Sequence, residues 1–231
     1  MIGLDAVVVV AMADEAEPFL ARAQVVGRAT EVGGAVQHLL AVDGRTVLLV
    51  RSGIGLVNAA VGAASALTVG SPRMLISAGS SGGIGLDVHV GDVVVADESL
   101  FAAADATTFG YALGQVPGMP ERFASTPALV EAALATSTGR PLRRGLVLSG
   151  DSFIDGRTLA SVRATFPDGQ SVDMESAALA QVAHLFGVPF VSVRGVSDLC
   201  GPTAGQDHTV RVDDAAQRSA DVVLALLAAV D

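Results

Sequence analysis

The sequence contains no lysine and no tryptophan, a single cysteine, and only 4 % aromatic residues. Each shortage removes a class of chemistry. All 14 basic residues are arginine, so there is neither a Schiff-base lysine nor the phosphate-cradling lysine of a P-loop. Cys200 has no internal partner for a disulfide, which fits a reducing compartment, and its expected place is as a small buried hydrophobe. The histidines His38, His89, His184 and His208 lack metal-ligand spacing, so no metal and no cofactor are expected. No apolar run reaches the roughly 18 to 20 residues a membrane span requires. The N-terminal run from Ala6 to Met12 has no cationic leader and reads as a buried strand, not a signal, so a cytoplasmic location is expected. A net charge of -10 and a pI near 4.7 disfavour nucleic acid and anionic membranes as partners, leaving a neutral or cationic small molecule as the easier ligand.

What is present is aliphatic. Hydrophobic residues make up 51 % of 231 and charged residues 16 %, enough for one large dry core, and no linker or repeat divides the chain, so a single domain spanning 1–231 is expected. Strand-length apolar runs recur at Ala6 to Ala11, Gln37 to Val42, Thr46 to Val50, Met74 to Ser77, Asp92 to Ala96, Gly145 to Leu148 and Pro189 to Val196. Most lack strict alternation, the pattern of strands covered on both faces. Helical spacing appears between them at Asp14 to Gln24, Gly55 to Val69, Thr126 to Thr136, Leu159 to Thr165, Glu175 to Phe186 and Asp213 to Val230. This alternation predicts an α/β fold, a three-layer α/β/α sandwich around a mixed or parallel central sheet.

Ligands in such folds bind at the carboxyl ends of the strands, and five of these ends carry polar or glycine-rich residues. Met12 to Glu17 follows the first strand; Asp14 or Glu15 there also suits a helix cap. Ser52-Gly53-Ile54-Gly55 and Ser77-Ala78-Gly79-Ser80-Ser81-Gly82-Gly83 permit close backbone approach or tight turns, and no G-x-G-x-x-G follows the first strand. Phe153, after Ser149-Gly150-Asp151-Ser152, is either core or a ring suited to stacking on a base. Asp173-Met174-Glu175 opens a helix, and Arg194 to Asp198 ends the longest apolar run.

The ordered blocks Ser52 to Gly55, Ala78 to Gly83, Thr108-Phe109-Gly110-Tyr111, Gln115-Val116-Pro117-Gly118, Ser149 to Phe153 and Val196-Ser197-Asp198 resemble the methylthioadenosine/S-adenosylhomocysteine nucleosidases of the purine-nucleoside phosphorylase superfamily, from about Val8 to Ala216. The resemblance implies a nucleoside phosphorylase-like fold and hydrolysis of the bond between adenine and a 5′-substituted ribose. It implies Glu15 as the base that activates water, with Ser80, Arg194 and Glu175 holding that water. Met174 and Glu175 would bind ribose, Phe153 would stack on adenine, and the backbone of Ile154 would read its edge. Asp198, with Ser197 beside it, would be the acid at N7. Met12, Ile54 and Phe153 would line the 5′ end, completed by Ala106, Phe109 and Pro117 of a second subunit, which makes a homodimer with a shared site the implied assembly. Cleavage of an N-glycosidic bond builds positive charge on the sugar and negative charge on the base, so carboxylates on one side and an acid on the other match the chemistry.

Phosphorylases of the superfamily hold phosphate with several arginines, one of them three residues before the serine that corresponds to Ser80. That position is Ser77 here, which favours water over phosphate, although Arg51 precedes Ser52-Gly53 and is a second arginine to place. Two departures from the family's pattern stand out. Asp173 replaces a usual Glu, and Gly205-Gln206-Asp207-His208-Thr209-Val210 replaces an apolar closing segment, which leaves open a more polar 5′-substituent such as homocysteine or aminodeoxyfutalosine. Ala102-Ala103-Ala104 likewise stands where bulkier polar residues are common. A phosphate-dependent phosphorylase and a catalytically silent nucleoside-binding protein on the same scaffold are the remaining alternatives.

Overall fold

The computed structural model describes residues 2–230; Met1 and Asp231, the outermost residues of the expected domain, lie outside the described residues. Valine-rich segments form strands wherever both faces are covered. Eight principal strands and six helices follow in the order β1 (Ala6–Val10), α1 (Ala13–Leu20), β2 (Ala35–Val42), β3 (Arg45–Arg51), α2 (Leu56–Val69), β4 (Leu75–Gly83), β5 (Val93–Phe101), α3 (Pro127–Leu134), β6 (Leu142–Ser149), α4 (Leu159–Thr165), β7 (Gly169–Asp173), α5 (Ser176–Phe186), β8 (Phe190–Asp198) and α6 (Ala204–Ala229). Shorter strands edge this framework, among them Phe123–Ala124 beside β5 and Thr30–Val32 beside β2.

In β1, Val8 and Val10 pack under α1, α3 and α6, while Val7 and Val9 pack under α2 and α5. Both parities of the strand are therefore buried, which explains why the run shows no alternation. The same division continues through Ile76 on one face and Leu75 on the other, giving the expected three layers. β1 lies parallel to β3 on one side and β4 on the other, and β2 runs antiparallel to β3.

Beyond β4 the sheet closes on itself. β4 pairs with β8, β8 with β5, β5 with β6, β6 with β7, and β7 returns antiparallel to β4 through Ser171 opposite Gly83 and Val172 opposite Gly82. Strand β7 was not expected. Its sequence, Gly-Gln-Ser-Val-Asp, has one large apolar residue, and its aspartate serves polar contacts that periodicity does not detect.

Two expected boundaries are corrected. The glycine-serine run after Ser77 is not a strand-end turn but the second half of β4. It has no side-chain bulk because neighbours press on it: a Cβ on Gly79 would lie 2.4 Å from a Glu15 carboxylate oxygen, and one on Gly82 would lie 2.4 Å from the Cys200 sulfur. The polar segment Gly205 to Val210 forms the opening turns of α6, which starts nine residues before the expected Asp213. α6 then packs against β8 closely enough that a Cβ on Gly195 would meet the Ala215 carbonyl oxygen at 2.1 Å. Among the described residues, no helix is long and apolar enough to cross a membrane.

Candidate active site

The carboxyl-terminal parts of β4, β7 and β8 and the segments that follow β1, β3, β6, β7 and β8 surround a cavity of about 270 Å³. Glu15, Asp173, Glu175 and Asp198 contribute acidic groups to its wall, and Met12, Ile54, Phe153, Ile154 and Met174 contribute the apolar part. Glu15 and Asp198 thus share one cavity although 183 positions separate them in the chain.

Glu15 stands in the first turn of α1 and is 1 % exposed. One carboxylate oxygen accepts the backbone N–H groups of Ala11 (2.8 Å) and Met12 (3.1 Å), and the other accepts the Ser80 N–H (2.7 Å) and hydroxyl (2.9 Å). The helix-cap reading of this residue is realised, since the carboxylate accepts N–H groups at the helix start, and the same carboxylate lines the cavity. Such a fan of donors fixes its orientation without a cation in contact.

Glu175 is placed by two turns. Gly53 and Gly55 have φ of +86° and +107°, which brings the Gly55 N–H to 3.0 Å from a Glu175 oxygen. The amide that glycine freed for close approach therefore serves a side chain of the protein. Asp173 sits behind, accepting the N–H groups of Glu175 (3.2 Å) and Ser176 (3.1 Å), the Ser149 hydroxyl (2.5 Å) and the Ser176 hydroxyl. Arg194 is 1 % exposed and lies beneath the cavity wall, donating to Glu175 (3.3 Å), the Ser80 carbonyl (3.3 Å) and the Ser77 hydroxyl (2.6 Å). Its Nε is 3.1 Å from Asp173 but is not aligned for a hydrogen bond, so that contact is an ion pair only. Burial raises the Glu175 pKa to about 7; Arg194 opposes this, while the charges of Asp173 and Glu15 add to it.

Asp198 is 2 % exposed. The Cys200 N–H donates to its Oδ1 at 2.9 Å, and the Ser197 hydroxyl lies 2.9 Å from its Oδ2. Burial nevertheless raises its pKa, outweighing these two donors. Cys200 is buried as expected, and burial with the neighbouring Asp198 charge holds its thiol protonated.

Most of the expected site residues converge here. Met12, Glu15, Ile54, Ser80, Phe153, Ile154, Met174, Glu175 and Asp198 line the cavity, with Arg194 and Ser197 bonded directly behind. Ala106, Phe109 and Pro117 do not line it; Phe109 is 81 % exposed on a short helical turn, Thr107–Phe109. Ser77, at the position where phosphorylases carry an arginine, is fully buried and committed to Arg194. Arg51 is not among the lining residues. Sequence reasoning missed Ala11, Ser81, Gly82, Ser152, Val172, Asp173, Cys200 and His208 as lining residues. The signal for His208 was its position ten residues past Asp198 in a polar segment, but the helix that turns it inward was hidden by Gly205 and by the β-branched Thr209 and Val210.

A model of the phosphorylase superfamily matches residues 5–230. The chain is 43 % identical over 201 residues to a methylthioadenosine/S-adenosylhomocysteine nucleosidase from Actinobacillus succinogenes, covering 86 % of this chain and 87 % of that one. The crystal structure of such a nucleosidase from Neisseria meningitidis in complex with methylthio-immucillin-A superposes with a TM-score of 0.93 at 37 % identity, over 98 % of this chain and 100 % of that one. One from S. pneumoniae with a transition-state inhibitor gives 0.92 at 31 % identity over 100 % of both chains.

Proposed function

The chain belongs to the phosphorylase superfamily and, within it, to the methylthioadenosine/S-adenosylhomocysteine nucleosidases, and on that premise we propose that it hydrolyses 5′-substituted adenosines with Glu15 and Asp198 as base and acid. The observation that carries this reading is the shared cavity: a carboxylate held by four donors and an acid with a raised pKa line the same space as Phe153 and Glu175.

The bond to be broken joins C1′ of ribose to N9 of adenine. Adenine lies against Phe153, where a flat ring offers stacking area at low entropic cost. Asp198, whose pKa burial raises, donates a proton to N7 and neutralises the charge that collects on the departing base. Glu175 accepts the ribose hydroxyls with Met174 beside it, and its charge and that of Glu15 stabilise the cationic sugar. Glu15 then takes a proton from the water that attacks C1′. Positioned proton transfer contributes on the order of 10² to 10⁴ in rate for each group.

Water is favoured over phosphate by the charges. The cavity wall contains no arginine among its lining residues and four carboxylates, and Arg194 is already shared between Glu175 and Asp173. A phosphate dianion there would face net repulsion. Exposed apolar residues, Ile54 and Phe153 at the cavity and Val57 and Phe109 elsewhere on the surface, support a homodimer in which Ala106, Phe109 and Pro117 of the second subunit complete the 5′ end. The same reading takes 1–231 as one nucleosidase domain acting in the cytoplasm on methionine salvage. Adenine release from methylthioadenosine, S-adenosylhomocysteine and aminodeoxyfutalosine, each with and without added phosphate, tests it. Release of equal rate in both buffers supports hydrolysis; release only with phosphate, or none from any of the three, overturns it.

A further inference from the structure

His208, in the opening turns of α6, faces the cavity with its ring edge-on to Phe153, the ring centroids 6.0 Å apart. Its Nδ1 is 3.1 Å from the Ser197 hydroxyl, which is 2.9 Å from Asp198 Oδ2. Ser197 is fully buried and Asp198 is 2 % exposed, whereas His208 is half-buried and reaches toward solvent. Three side chains thus form an unbroken hydrogen-bonded line from the surface to the group that serves the departing base.

The nucleosidase reaction leaves a deficit that this line can fill. In each turnover Asp198 gives one proton to the base and the attacking water gives one to Glu15. The products carry the first away and Glu15 returns the second to solvent, so Asp198 is left one proton short. It meets few alternative donors. Its Oδ1 is held by a backbone N–H that cannot give up its proton, and the nearby Cys200 thiol is held protonated well above neutral pH. We propose that His208 reprotonates Asp198 through the Ser197 hydroxyl after each turnover, an inference that rests on the nucleosidase reading of the site. The Nδ1–H bond of the imidazolium breaks as Ser197 Oγ gains that proton. The Ser197 O–H bond breaks as Asp198 Oδ2 gains its own. A neutral imidazole, an intact hydroxyl and a neutral carboxyl remain, and the half-buried ring recovers a proton from solvent.

The directionality follows from the donor count. Ser197 has one proton and three neighbours in reach, Asp198 Oδ2 at 2.9 Å, the Ser81 carbonyl at 3.3 Å and His208 Nδ1 at 3.1 Å. When Nδ1 carries a proton it donates to the hydroxyl, whose own proton is then directed at the nearer Oδ2. The charges acting on this corner are Asp198 itself and Asp207, the latter tied to the Thr203 hydroxyl at 2.7 Å and paired with Arg211 at 3.7 Å.

Steady-state turnover of methylthioadenosine by His208→Ala and His208→Gln separates a proton relay from mere support. Glutamine keeps an N–H donor toward Ser197 but cannot titrate. In His208→Ala, kcat is expected to fall at least about tenfold with KM changed less than about threefold, and added imidazole to restore roughly half or more of the lost turnover. His208→Gln is expected to be as slow as His208→Ala. Wild-type rate in His208→Gln, or no restoration by imidazole, overturns the relay while leaving the nucleosidase reading standing, whereas a wild-type protein that releases no adenine counts against that reading instead.

Discussion

Glu175 carries its charge at a cost to the fold, and removing that charge should stabilise the protein while disabling it. The carboxyl group is 4 % exposed, and a pKa raised from the ordinary 4.5 to about 7 means that the folded state holds this proton more tightly than the unfolded state does. The stabilisation linked to the bound proton is therefore fully present below about pH 4.5 and is lost as pH rises through about 7. At roughly 1.4 kcal/mol per pH unit, ionised Glu175 costs the folded state about 3 kcal/mol at pH 8. Glu175→Gln keeps the shape and the acceptor for the Gly55 N–H but carries no charge. Its unfolding free energy in urea should exceed that of the wild type by about 3 kcal/mol at pH 8, and its Tm should rise by about 6 to 12 °C. At pH 5 the difference should shrink to under about 1 kcal/mol, because the wild-type carboxyl is then protonated in the folded state. A variant less stable than the wild type at pH 8 would refute the reasoning, since it would mean that the Arg194 ion pair repays more than burial costs.

Other consequences follow from the same geometry. In wild-type kcat/KM an acid limb should appear with a midpoint of about 7, as free-enzyme Glu175 takes up its proton, and this limb should be missing from the residual activity of Glu175→Gln. Asp198→Asn should lower kcat at least about a hundredfold with little change in Tm, and near-normal turnover would remove Asp198 from the mechanism. Glu15→Gln should cost a similar factor and also about 1–3 kcal/mol of stability, measured by urea unfolding, because an amide NH2 would face N–H donors that now meet a carboxylate. Gly79→Ala places a Cβ 2.4 Å from Glu15 at a φ of +136°, so thermal unfolding should show a loss of at least about 2 kcal/mol together with impaired turnover.

Much of the fold is legible because valine runs such as Val7 to Val10 are buried on both faces, and the helices between them bury alanine-rich sides such as Ala59, Ala63 and Ala66. Legibility fails where polar residues do structural work. Ser171 and Asp173 look like loop residues, yet β7 closes the ring of strands and its aspartate holds the start of α5. Gly79 and Gly82 read as a turn because nothing local reveals that Glu15 and Cys200, from distant segments, occupy the space a side chain would need. The same limit applies to the site. Phe153 and Asp198 stand within the ordered motifs, and Glu15 and Glu175 follow from the resemblance that those motifs carry. The charge that shifts Glu175 and the hydroxyl that links Asp198 to His208 exist only once the strand ends meet.

The central claim is that two acidic groups act on one nucleoside from opposite ends of its glycosidic bond. A crystal structure of the wild-type protein with a non-hydrolysable methylthioadenosine analogue tests it most directly. The account predicts the purine against Phe153 with N7 within about 3 Å of Asp198, the ribose hydroxyls at Glu175, and a water between Glu15 and C1′. A purine bound with N7 away from Asp198, or a sugar whose C1′ does not face Glu15, would contradict it.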